Sequence, residues 1–401
     1  MKTDYDILIA GGGMVGATLA CALGGSSLKV AVIEPQIALP VQEGQDLRVS
    51  AITPASQTVF ENLGVWTGIN SARCGVIEAM HIWEGDSSLN FDSADIGEPR
   101  LAWIIENRLL VAALLERLEQ FSNLTLICPA KVDAVEIEEK AVTVRLADGL
   151  RLRAALLVGA DGAESPVRRA AGIDWTSHDL GQAAIVATLH AQHAHARIAR
   201  QHFLPSGPLA FLPLADPHRL SMVWSADTDR ARALMLLDEA AFNTQLQAAC
   251  GDSLGALKLA SERVAIALAL GFARDYCAHR VALIGDAAHT LHPLAGQGVN
   301  LGILDAATLA ETLLATAQQR DVGTYALLRR YERARKGADV GMQALTGGLR
   351  YLFGSNLPGA QGLRDSGLRL SERLPALKNF FMRRASGVSG ELPRLAQRRP
   401  G

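Results

Sequence analysis

Gly11, Gly13 and Gly16 stand at the spacing G-x-G-x-x-G directly after an apolar run, YDILIA (Tyr5 to Ala10). A glutamate, Glu34, closes the next apolar run, Lys29 to Ile33. Glycines so spaced turn a strand sharply into a helix. The first permits the turn, the second leaves room for a pyrophosphate at the backbone, and the third lets the helix lie close on the strand. The helix start, with Met14 and Val15 in its first turn, offers free N–H groups and a partial positive charge to phosphates. A carboxylate at Glu34 can accept both hydroxyls of an adenosine ribose, and it would repel a 2′-phosphate. These residues predict a dinucleotide site; the pattern by itself serves NAD and FAD equally.

Two later blocks carry a different chemistry. In LLVGADGAESPVR (Leu156 to Arg168) a strand delivers Asp161 into a turn, and Ser165-Pro166 can then start a helix. In RVALIGDAAHTLHPLAGQGVNLGILD (Arg280 to Asp305) another apolar strand ends at Gly285-Asp286. His289, Pro293, Gly296-Gln297-Gly298, Val299 and Asn300 follow, before a long helical pattern. An aspartate at that strand end can hydrogen-bond a ribityl hydroxyl. The glycine-rich stretch opens a second helix N-terminus, whose dipole would stabilise the negative charge that a reduced isoalloxazine carries at its N1/C2=O edge. His289 has two readings, fixing the turn through ring hydrogen bonds or transferring a proton.

In order and spacing the three blocks resemble the group A FAD-dependent aromatic hydroxylases, over most of the chain. A second G-x-G-x-x-G for NADPH is absent, as it is in those hydroxylases. With LRVSAI (Leu47 to Ile52) and IIENRLL (Ile104 to Leu110) the resemblance narrows to the ubiquinone-biosynthesis monooxygenases. FLPLADPHRLSMVWS (Phe211 to Ser225) and LRDSGLRLSERLPALK (Leu363 to Lys378) look most like the 2-polyprenylphenol hydroxylase branch. The resemblance implies FAD as cofactor, NADPH or NADH as reductant and O2 as co-substrate. It implies hydroxylation of a polyprenylphenol ring through a flavin C4a-hydroperoxide. Carried onto this chain, it places Arg48 and Asn107 near the FAD and Asp286 on the ribityl chain. Pro293, Gly296, Gln297 and Gly298 surround the flavin ring, with Pro293, Gln297 and His289 as the catalytic candidates. Asp161, Val299 and Asn300 join the cofactor-binding set. A flavin reductase or dehydrogenase of the same superfamily, acting on a prenyl lipid, would share every one of these motifs. A non-catalytic FAD-fold subunit of a lipid-biosynthesis assembly is the other alternative. One departure stands out: where the family has Phe-Pro-Leu and a basic or aromatic pair, this chain has Ile266-Ala267-Leu268-Ala269-Leu270-Gly271-Phe272.

The elements that must position these residues are an α/β fold with a discontinuous Rossmann-like FAD-binding domain. Its parts are residues 1–180, with 73–97 joining the substrate sheet, and a return at 274–340. Residues 181–273 alternate polar and apolar positions and predict an inserted antiparallel substrate sheet, with a helix near Asp238 to Ala249. Residues 341–401 read as a C-terminal helical, basic segment. They hold ten Arg/Lys and three Asp/Glu, in a chain of 401 residues with net charge −2. That near-neutral total argues against a nucleic-acid binder. A homo-oligomer and contacts with other ubiquinone-biosynthesis proteins are left open.

The five cysteines are scattered without C-x-x-C, which fits reduced cytoplasmic thiols. No signal peptide and no spanning segment is expected. In the tail, Leu374, Leu377, Phe380 and Phe381 recur near helical spacing beside Lys378, Arg383 and Arg384. Either this face docks on the protein, or it rests peripherally on the inner face of the membrane. His190, His193 and His195 lack neighbouring Cys or carboxylate ligands, so no metal is assigned. Trp103, Trp175 and Trp224 read as core or as pocket lining.

Overall fold

In the computed structural model of the protein the described residues are 3–37, 46–69, 73–85, 87–291, 297–316, 321–337, 382–383, 387 and 391–398. Runs of apolar residues form the inner strands of an eight-stranded sheet. Tyr5–Ala10 lies between Val30–Ile33 and Arg151–Gly159, with Leu124–Ile127 beyond the first and Val281–Leu283 beyond the last, all parallel. Strands covered on both faces need no polar alternation, and Ile7, Leu8, Ile9, Val30, Ala31 and Val32 are fully buried. Helices Asn107–Glu119 and Gln297–Leu314 both pack on Met14–Leu23, the helix that follows the first strand.

The alternating segments form a second, nine-stranded sheet, antiparallel except where Ile198–Leu204 runs parallel to Ala79–Glu84. In Arg219–Asp227, Leu220, Met222, Trp224 and Ala226 point to one side, against Phe242 and Leu246. The helix bearing those two, Glu239–Cys250, starts where the Asp238 carboxylate accepts from Ala241 N at 2.8 Å and stops at Gly251, whose φ is 72°. A three-stranded sheet of Val49–Ile52, Ala102–Glu106 and Gly75–Ile77 packs, through Ile77, Ala102 and Ile104, against Ala199 and Leu214 from the substrate region.

The boundary expected between residues 180 and 181 falls inside a single strand, Trp175–Ala191. That strand pairs with Val264–Ala273 along most of its length, with a register shift between Asp179 and Gln182 that keeps it continuous across both bodies. His289–Thr290, from the returning segment, pairs with Gly271 and Phe272 at the edge of the same sheet. The flavin-type motif and the substrate sheet are therefore hydrogen-bonded to each other.

Residues 391–398 lie against the body, where Asn62 Nδ2 donates to Leu395 O at 2.9 Å. Leu374, Leu377, Lys378, Phe380, Phe381 and Arg384 lie outside the described residues; Arg383 donates to Ile96 O at 3.3 Å. No helix among the described residues is long and apolar enough to cross a membrane. The His195 ring is buried, with Nε2 donating to Leu214 O and Asp216 O and Nδ1 accepting from Arg197 N, a fully engaged structural histidine. Trp224 is core, and Trp103 Nε1 donates to Gln57 Oε1 at 2.8 Å.

Candidate active site

The parallel order of the first sheet brings the ends of three sequence-distant strands side by side. Gly11 N donates to Ile33 O, Ala160 N to Ala10 O, and Ile284 N to Gly159 O, at 2.8, 2.8 and 3.0 Å. Gly11, Glu34, Asp161 and Asp286 thus gather at the carboxyl edge of one sheet, where ligands bind in open α/β folds.

At this edge Gly11 has φ +102°, and a Cβ there would lie 2.2 Å from Ala160 O, so only glycine lets the two strand ends approach. Gly16 sits equally close to the Gly11 carbonyl, whereas a Cβ on Gly13 or Gly298 would meet nothing within 4 Å among the described residues. Glu34 is fixed at the turn: its Oε2 accepts from Gly12 N at 2.6 Å and its Oε1 from Gln36 N at 2.9 Å. Each oxygen retains lone-pair capacity for a ribose hydroxyl.

Asp161 Oδ2 accepts from Val167 N at 3.1 Å, while among the described residues its buried Oδ1 has no hydrogen-bond partner. Desolvation pushes this carboxyl above its ordinary range, against the nearby Ser165 hydroxyl and the Val167 N–H. Asp286 is solvent-exposed at the strand end. Nearby protein desolvates its carboxyl and raises its pKa, with His289 acting in the opposite sense. Among the described residues, an orphaned buried oxygen, unfilled space at two glycines and a desolvated carboxylate fit a ligand of phosphates and hydroxyls.

The chain matches the FAD binding domain family over residues 4–346. It is 39% identical over 399 residues to the ubiquinone hydroxylase UbiL of Rhodospirillum rubrum, covering 97% of this chain and 92% of that protein. It is 34% identical over 387 residues to the 3-demethoxyubiquinol 3-hydroxylase of Escherichia coli K12, covering 96% of this chain and 98% of that enzyme. This chain belongs to the FAD-dependent monooxygenases of ubiquinone biosynthesis. The fold agrees: the crystal structure of Pseudomonas aeruginosa PqsL with 2-aminobenzoylacetate superposes with a TM-score of 0.78 at 26% identity, over 91% of this chain and 99% of that one.

The glycines, Glu34, Asp161 and Asp286 of this monooxygenase lie together where they could hold FAD. Arg48 and Asn107 are brought together by the small sheet: Asn107 N donates to Arg48 O at 2.9 Å, and Ser50 Oγ to Asn107 Oδ1 at 2.7 Å. The Arg48 side chain is exposed. The Val15 side chain packs against Gly285 and Gly302, which leaves the backbone of the first helical turn to meet a ligand. Val299 is partly buried against the core. Pro293, Gly296 and the Gln297 side chain lie outside the described residues.

Two of the candidate side chains are engaged by the protein itself. Asn300 is buried; its Oδ1 accepts from Thr53 N and Oγ1 at 3.0 and 3.2 Å, and its Nδ2 donates to Ala51 O at 2.7 Å. The amide therefore ties the long helix to the small sheet. Asn300→Ala orphans the buried Thr53 N–H. It is expected to cost about 1–3 kcal/mol in a urea melt. His289 is fully buried and donates through Nε2 to Asp305 Oδ2 at 2.6 Å. A ring without exposed surface is in position to fix the turn, not to meet a substrate.

Sequence reasoning missed the buried charges around the site. Arg168 donates to Ala163 O and Ala287 O at 2.6 and 2.9 Å, joining the Asp161 and Asp286 loops, and stacks 3.7 Å over the Trp175 ring. Glu106 is 3% exposed; it binds Arg73 at 2.8 Å and Arg108 at 3.0 Å, next to Asn107. Both lie inside the quoted motifs, but burial, which the sequence does not display, makes them structural.

Proposed function

We propose that this monooxygenase hydroxylates the aromatic ring of a polyprenylphenol intermediate of ubiquinone biosynthesis, with NADPH or NADH as reductant. The observation that carries this reading is exposed apolar surface along the strand whose end pairs with the aspartate turn. Val264, Ile266 and Phe272 on the strand Val264–Ala273 are 43%, 42% and 39% exposed, and Phe272 pairs with His289 of the aspartate turn. In this strip the chain departs from the family pattern, replacing proline and charge with aliphatic residues that suit an isoprenoid tail.

FAD, when bound and reduced, supplies the activation of O2 and the delivery of one oxygen atom to an electron-rich ring. The rest is positioning by the protein. Glu34 and the Gly11–Gly16 turn hold the adenosine diphosphate half, and Asp286 holds the polyol. Pro293 and Gln297 are assigned to the ring system as before. The strip at Val264, Ile266 and Phe272 orients the prenyl tail and keeps water from the reacting edge. Substrate dissolved in a bilayer favours peripheral contact with the inner face of the membrane, through the basic C-terminal segment.

The test is turnover on phenols that differ in tail length and ring substitution. Prenylphenol is expected to stimulate NAD(P)H oxidation with one O2 consumed per hydroxylated product. Substrate reduction without oxygen uptake would assign a dehydrogenase instead. Ile266→Lys is expected to leave FAD content unchanged and lower the prenylphenol-stimulated rate about tenfold, with little effect on a phenol lacking the tail.

A further inference from the structure

One carboxylate underlies the aspartate turn. Asp305 sits on the helix Gln297–Leu314, fully buried. Its Oδ2 accepts from Gly285 N at 3.1 Å and from His289 Nε2 at 2.6 Å, the two ends of the turn that carries Asp286. Its Oδ1 accepts from Arg335 Nε at 2.7 Å; that guanidinium is 5% exposed and comes from the helix 325–337. Gly285 has φ +60°, and a Cβ on Gly302, one turn before Asp305, would lie 2.6 Å from Val15 and 3.1 Å from Gly285 Cα. The long helix, the first nucleotide helix and the turn are thus in backbone-level contact where the carboxylate acts.

We infer that Asp305 is a positioning residue for FAD: by bracketing Gly285 and His289 on one oxygen, it holds the 285–289 turn so that Asp286 faces the cofactor before FAD arrives. The ion pair with Arg335 accounts for the charge on Asp305 but not for its second oxygen, which is spent on Gly285 and His289. A buried ion pair is a poor source of stability, because desolvating two charges offsets their attraction. Burial opposes ionisation of Asp305, but His289 and Arg335 overcome it and keep the carboxyl below its ordinary pKa, so both oxygens accept at neutral pH. The inference rests on FAD binding and not on the identity of the phenol, so it can fail while the proposed reaction stands.

The test separates the acceptor atom from the charge. Asp305→Asn with Arg335→Met removes the buried ion pair but keeps an amide oxygen facing Gly285 and His289. Asp305→Leu with Arg335→Met removes the acceptor as well. With both apoproteins folded and melting within a few degrees of each other, the Asn variant is expected to bind FAD within about threefold of wild type. The Leu variant is expected to bind at least about tenfold more weakly. Equal FAD affinity in the two variants overturns the inference. An independent measurement needs no substitution. Amide exchange across residues 284–290 of wild-type apoprotein is expected to be slow already and to change little on adding FAD. Fast exchange that slows only when FAD binds would show that the cofactor, not Asp305, shapes the turn.

Discussion

Asp286→Ala is expected to yield a protein that purifies colourless and whose apoprotein melts at the wild-type temperature or slightly above it. Asp286 is exposed at the end of the strand Val281–Leu283, and the neighbouring protein raises its pKa by desolvation. A carboxyl whose pKa is higher folded than unfolded opposes folding when ionised, but solvent screens an exposed group, so the gain on removing it is small. That gain fades as pH falls toward the unfolded carboxylate value of about 3.9. FAD affinity falls, because a charge-assisted hydrogen bond to a ribityl hydroxyl is lost. A weakening of about 10- to 100-fold follows from about 1.5–3 kcal/mol. Differential scanning fluorimetry of the apoprotein across pH, with FAD titration followed by fluorescence quenching, reads both. A lower apoprotein melting temperature would show that Asp286 is a structural group.

Gly11→Ala and Gly13→Ala should separate folding from binding in the first turn. At Gly11 an added Cβ meets Ala160 O at 2.2 Å and the backbone has φ +102°. The strand ends that align Asp161 and Glu34 must part, or the backbone must leave its turn. We expect a loss of about 3 kcal/mol or more and no FAD in the purified protein. At Gly13 φ is −68°, which any residue adopts, and among the described residues nothing lies within 4 Å of an added Cβ. There the apoprotein should melt as wild type, while FAD affinity falls because the methyl fills the space left for the pyrophosphate. Retained FAD affinity in Gly13→Ala would contradict the placement of the phosphates.

Much of this site is legible in the sequence, since local rules govern it. Strand–glycine–helix runs announce Gly11 and Gly285, and the strand Tyr5–Ala10 has the bounds its apolar run predicts. The alternation of RLSMVWSA gives the strand Arg219–Asp227 and its core face. What the sequence hides is set by long-range packing. Asn300 looks like a ligand contact within its motif, but its amide reaches Ala51 and Thr53, some 250 positions away in sequence. Asp305 merely closes a quoted block and Arg335 lies outside every one, and only burial together beneath the His289 turn gives them a role. The continuity of Trp175–Ala191 across the two bodies depends on pairing with Val264–Ala273, which no local pattern specifies.

The account's central claim is that segments far apart in sequence hold one FAD whose oxygen chemistry is aimed at a prenylated phenol. The most direct test is to supply the FAD-loaded protein with NAD(P)H, a short-chain prenylphenol and 18O2 in ordinary water, and to weigh the product. The account predicts a hydroxylated ring carrying a single labelled oxygen atom, formed in step with NAD(P)H oxidation. Product bearing oxygen from water, or a reduced lipid formed equally well without air, would contradict it.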